Sequence, residues 1–111
     1  MDTLKNIAKT YFLNFSNKDI GLLANMFTDD VELRDWNYHG KGIDEVIEIN
    51  KKIFANNDKI LVSPLKIWQA EESLIIADLE IDIGNPKKEL VLDILAFEKD
   101  KIKKIIAYKG N

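Results

Sequence analysis

Residues 11–35 read YFLNFSNKDIGLLANMFTDDVELRD, and the change of period inside this stretch decides the fold. Running into it, Leu4, Ile7, Ala8, Tyr11, Phe12 and Phe15 recur three and four residues apart, one apolar stripe down a helix with Lys5, Asn6 and Lys9 outside it. Asp19 stands where its carboxylate can cap a second, short helix carrying Ile20, Leu23, Met26 and Phe27. Thr28-Asp29-Asp30 has the polar chemistry of a helix stop and turn. From Val31 the period falls to two: Val31, Leu33 and Asp35 alternate with Glu32, Arg34 and Trp36, which predicts a strand over 31–36 with one face inward.

Beyond it, 37–42 (NYHGKG) predicts a loop, and Ile43, Val46, Ile47, Asn50, Ile53 and Phe54 mark a third helix ending near Asn56-Asn57. The rest reads as strand-forming runs over 60–69, 74–83, 89–98 and 102–109, split by short polar turns that imply antiparallel hairpins. Pro64, which has no N–H, marks an edge or a bulge in the first of these strands. Helices first and strands last predict an α+β domain: three helices within 3–57 on one face of a curved antiparallel sheet, with 31–36 as a further strand.

At 111 residues the chain fits one domain with one core. Its apolar runs are far shorter than the roughly 20 residues a membrane span needs. Charged and polar residues interrupt 1–13, so no secretory signal is read there and the cytoplasm is the expected location. With no cysteine and one histidine, thiolate chemistry and a transition-metal centre are not expected, nor is a cofactor. The net charge of −3, with both signs interspersed, gives no basic stripe for a nucleic acid. The locally basic tail from Lys99 to Lys109 reads as a solvated strand face and turn.

Three polar residues stand against the apolar pattern. Asp35 shares the inward parity of Val31 and Leu33, and Asp93 shares that of Val91, Leu95 and Phe97. Tyr11 lies within the buried stripe of the first helix, and its hydroxyl needs a partner. A carboxylate cannot be buried unpaired without raising its pKa. Each has a plainer alternative. Asp35 can pair with Arg34 or Lys41 or accept from loop amides, Asp93 can face outward, and Tyr11 can be a packed aromatic. His39, in a loop with Gly40 and Gly42, reads as exposed, and Trp36 and Trp68 as core or interface aromatics. Asp78, Glu80 and Asp82 share a strand face, which reads as solvated rather than cation-binding.

The stretch from Tyr11 to Asp35, the helix start at Gly42-Ile43 and the closing hairpin from Ala96-Phe97-Glu98 to Ala107-Tyr108-Lys109-Gly110 resemble SnoaL-like and ketosteroid-isomerase-like members of the NTF2-like superfamily. The resemblance covers nearly the whole chain and implies a cone in which helices close a curved sheet over a small pocket. Ketosteroid isomerases carry a helix-1 tyrosine and a first-strand aspartate at the separation of Tyr11 and Asp35, and Asp93-Ile94-Leu95-Ala96-Phe97 matches the strand of their second aspartate. In that family the tyrosine and a protonated aspartate donate to an enolate oxygen while the other aspartate moves the proton. The resemblance thus implies Asp35 as base and Tyr11 and Asp93 as donors, with Trp36, Phe15, Val91, Leu95 and Phe54 expected to contact a small apolar or carbonyl-containing ligand. Trp36 follows Asp35 where the isomerases usually have proline. The alternative is a non-catalytic ligand-binding or dimeric interaction module. A homodimer is expected through the sheet face away from the helices, where Leu74, Ile76, Trp68 or Ile106 can sit.

Overall fold

The computed structural model describes residues 3–111. Its elements run α1 (Thr3–Ser16), α2 (Ile20–Asn25), β1 (Phe27–Arg34), β2 (His39–Lys41), α3 (Ile43–Asn56), β3 (Leu61–Glu71), β4 (Leu74–Asp82), β5 (Glu89–Glu98) and β6 (Lys101–Lys109). The three helices pack on a curved sheet of six strands in the order β2-β1-β6-β5-β4-β3. Strands β3 to β6 form successive antiparallel pairs, as the short turns imply.

Each helix carries the expected stripe. Ala8, Tyr11 and Phe12 are buried on α1, Leu23 on α2, and Val46, Ile49 and Phe54 on α3. Asp19 caps α2 by accepting from the Leu22 N–H at 3.0 Å. Lys18, at a left-handed φ of 56°, turns the chain between α1 and α2. Its ammonium donates to the carbonyls of Phe54, Asn57 and Asp58, which the end of α3 leaves without helical partners. Burial alternates along β4, where Ile75, Ala77 and Leu79 are covered, and along β5, where Val91, Asp93, Leu95 and Phe97 are covered. Pro64 lies on the edge strand β3 at a register shift, so both readings of it hold.

The structure differs from the expected layout in four respects. Thr28-Asp29-Asp30 lies inside β1 instead of forming a turn, and the β1 register shifts between Phe27 and Glu32. The strand ends at Arg34, not Trp36, because Asp35 opens a hairpin turn in which its N–H donates to the Tyr38 carbonyl at 2.9 Å. The loop read over 37–42 contains β2, antiparallel to β1, and Gly40 lets β2 approach α3, since a Cβ there would sit 2.6 Å from Ile49 Cδ1. The sheet is also not wholly antiparallel. β1 runs parallel to β6, with Leu33 opposite Ile105 and Arg34 opposite Ile106. No helix among the described residues is long and apolar enough to cross a membrane.

Candidate active site

Between the helices and the concave sheet face lies a cavity of about 350 Å³, bordered by all three anomalous polar residues, Tyr11, Asp35 and Asp93. Strand register places two of them. Asp93 is inward on β5 with Ala77 opposite it on β4 and Ala107 opposite it on β6. Of the two alanines, Ala107 borders the cavity and leaves space beside the carboxyl. Continuing the β1–β6 register one residue past Arg34 and Ile106 sets Asp35 level with Ala107, so the two carboxyls flank that alanine.

The two carboxyls have different surroundings. Asp93 is only 7% exposed, and its pKa is pushed up to about 7, first by burial and then by the Asp35 charge. Asp35 is half-buried, and its Oδ1 accepts from the N–H groups of Asn37 and Tyr38, both at 2.7 Å. The loop-amide alternative for Asp35 is therefore realised, while the residue still borders the cavity. One oxygen anchors the turn, and Oδ2 accepts no hydrogen bond from the described residues. Burial, then the charges of Asp93 and Asp35, hold the Tyr11 pKa well above that of a free phenol, so the hydroxyl keeps its proton. The ring is fixed by Phe12, Phe15 and Phe27, with centroids 5.5, 6.1 and 6.1 Å away. The site thus combines a fixed phenol, a carboxyl that can be protonated near neutrality and a second carboxyl with a free oxygen.

Of the expected ligand contacts, Phe15, Trp36 and Val91 border the cavity and Leu95 and Phe54 do not. Leu95 lies fully buried one inward position deeper than Asp93, and Phe54 packs edge-on against Phe15 at 4.9 Å, behind the wall. His39 also lies outside the lining, its Nε2 2.6 Å from Glu32 Oε2, and this hydrogen bond lowers the Glu32 pKa. Glu80 and Asp82 pair with Lys88 and Lys59, and no metal-ligating cluster occurs among the described residues.

The mouth holds residues that sequence reasoning passed over: Asn37, Asn56, Asn57, Glu89 and Lys109. Parity could have found two of them, because Glu89 continues the series 91, 93 on β5 and Lys109 the series 105, 107 on β6.

The fold recurs in solved structures. Nearly the whole chain superposes on a candidate ketosteroid isomerase from Kribbella flavida, with a TM-score of 0.85 and 11% identity over 99% of this chain and 79% of that one. This is the NTF2-like fold. An NTF2-like protein of unknown function from Cytophaga hutchinsonii matches at TM-score 0.78 and 21% identity, over 96% of this chain and 99% of that one. A candidate polyketide cyclase from Sinorhizobium meliloti matches at TM-score 0.82 and 14% identity, over 92% and 93% of the two chains. No family model matches the chain, and no curated protein is significantly similar in sequence. The NTF2-like architecture accounts for the cavity, since helices laid across a curved sheet cannot fill its concave side completely.

Proposed function

We propose that this NTF2-like protein binds a small carbonyl-containing molecule and transfers a proton next to the carbonyl, as an isomerase or lyase. The observation that carries this reading is that Tyr11, Asp35 and Asp93 border one largely apolar cavity. The ligand's carbonyl oxygen lies against the Tyr11 hydroxyl and the protonated Asp93 carboxyl. Asp35 Oδ2 removes the adjacent proton, and the enolate oxygen draws the two donors closer as charge develops on it. Asp35 then returns the proton to another carbon, or a group leaves from the β position. Candidate ketosteroid isomerases and polyketide cyclases among the structural neighbours support this class of chemistry. The cytoplasm is the compartment this reading assumes.

Titration calorimetry tests it with a nitrophenol acidic enough to be ionised at pH 6, an enolate mimic, against its methyl ether. The phenolate binds more tightly than the ether, Asp35→Asn tightens it further by removing a facing charge, and Asp93→Leu weakens it by about 1–3 kcal/mol. Absence of phenolate binding to both wild type and Asp35→Asn would sink the reading.

A second reading, a homodimeric interaction module, is favoured by the outer sheet face. There Trp68, Ile76, Ile94 and Ile106 stand in register across four strands, beside Leu92 and Tyr108. The two readings are compatible, because this face lies on the other side of the sheet from the cavity.

A further inference from the structure

We propose that the cavity mouth selects ligands by the charge of their outer end, favouring an ammonium over a neutral group and a neutral group over a carboxylate. The inference rests on the proton-transfer reading for which end of the ligand enters first.

The β5–β6 ladder acts as a ruler for depth. Glu89, Val91 and Asp93 all border the cavity along β5, and Lys109 stands opposite Val91 on β6. At about 3.3 Å per residue, Lys109 is set about 7 Å outward from Asp93 and Glu89 about 13 Å. A ligand whose oxygen lies between Tyr11 and Asp93 therefore brings its other end to Glu89, Lys109 and Trp36.

Among the described lining residues the charged groups outside the oxygen site are Asp35, Glu89 and Lys109. The one ammonium is already engaged: Lys109 Nζ is 3.0 Å from Glu89 Oε2 and 5.9 Å from the centre of the Trp36 ring. What remains open is acceptor capacity. Glu89 Oε1 and Asp35 Oδ2 take no hydrogen bond from the described residues. An incoming ammonium finds the free oxygen of Glu89, whereas an incoming carboxylate meets that like charge and gains a partner only by drawing Lys109 from Glu89. Glu89 is thus the selecting group at the outer end, Asp35 adds its negative charge from the level of Asp93, and Lys109 moderates both.

Three ligands with one head test this by titration at a single pH near 7: 4-hydroxy-3-nitrophenyl compounds with an aminoethyl, an ethyl and a carboxymethyl tail. Wild type binds them in that order, with steps of roughly three- to tenfold that shrink in concentrated salt. Glu89→Gln narrows the spread, Lys109→Met widens it, and Asp93→Leu weakens all three by a similar factor because it acts on the shared head. Binding in which the carboxylate equals or exceeds the neutral tail, or an order untouched by Glu89→Gln in a variant that melts like wild type, overturns the charge selection alone. Failure of all three to bind overturns it together with the proton-transfer reading.

Discussion

Asp93 stands directly across the β5–β6 ladder from Ala107, and the alanine rather than the aspartate decides that there is room for a ligand. Both carboxyls flank this position, so a larger inward side chain would fill the space between them. Ala107→Leu is therefore expected to weaken phenolate binding at least tenfold while the protein stays folded, because the added methyls enter a cavity instead of a packed core. Calorimetric titration alongside a thermal melt separates the two effects.

Burial gives Asp93 a stability cost with a definite sign. Its pKa is raised from the usual carboxylate value to about 7, so between about pH 4 and pH 7 the folded protein holds a proton that the unfolded chain has lost. The cost is absent below pH 4, grows as pH rises from 4 to 7 and is complete above that. Asp93→Asn, which cannot ionise, is expected to be more stable than wild type by up to about 4 kcal/mol at pH 8, with the gap closing toward pH 4. Urea unfolding at the two pH values measures it, and a gap independent of pH would refute it.

The helices and the long strands could be read because their stripes and alternations are driven by burial, and the same parity exposed Asp35 and Asp93 as misfits. Other features have no local signal. β2 is three residues, His39-Gly40-Lys41, held by pairing with β1 and not by any pattern of its own. The parallel β1–β6 pairing joins segments distant in the chain. Parity also cannot separate a cavity wall from the packed core behind it, which is why Leu95 and Phe54 were expected at the ligand.

Lys18 is a tertiary contact of this illegible kind. Its ammonium binds three carbonyls at the end of α3, next to Asn56, Asn57 and Ile60 on the cavity wall. Lys18→Met keeps the stem and removes the donors, and should cost about 1.5–3 kcal/mol in denaturant unfolding. Hydrogen exchange at 56–60 should quicken selectively. Equal protection in the two proteins would show that the cap is not holding this segment.

Asn50 makes the opposite case, a polar group the fold does not satisfy. It is 0% exposed on α3, and neither Nδ2 nor Oδ1 has a hydrogen-bond partner. An amide in that position bears a desolvation cost with no compensating bond. Asn50→Leu, close in size, is expected to raise stability by about 1–3 kcal/mol with ligand binding unchanged, because Asn50 is not part of the cavity lining. Thermal and urea unfolding provide the check.

The outer sheet face carries the last prediction. Ile94 lies at its centre, between Ile76 on β4 and Ile106 on β6, with Trp68 beyond Ile76 and with Leu92 and Tyr108 in the adjoining row. Trp68, Leu92 and Tyr108 are exposed, a contiguous apolar patch of the sort that usually marks a contact surface. Charges of both signs border it: Lys66 stands opposite Asp78, and Arg34 stands opposite Ile106. An apolar face bordered by charges of both signs can meet a second copy of itself across a two-fold axis. Sedimentation at micromolar concentration is expected to show a dimer for wild type and a monomer for Ile94→Lys. That variant should keep its β-sheet circular dichroism, because the lysine points away from the core. Phenolate affinity should stay within about twofold, since Val91, Asp93 and Ala107 face the other side. A wild-type monomer at that concentration would remove the dimer and leave the cavity chemistry untouched.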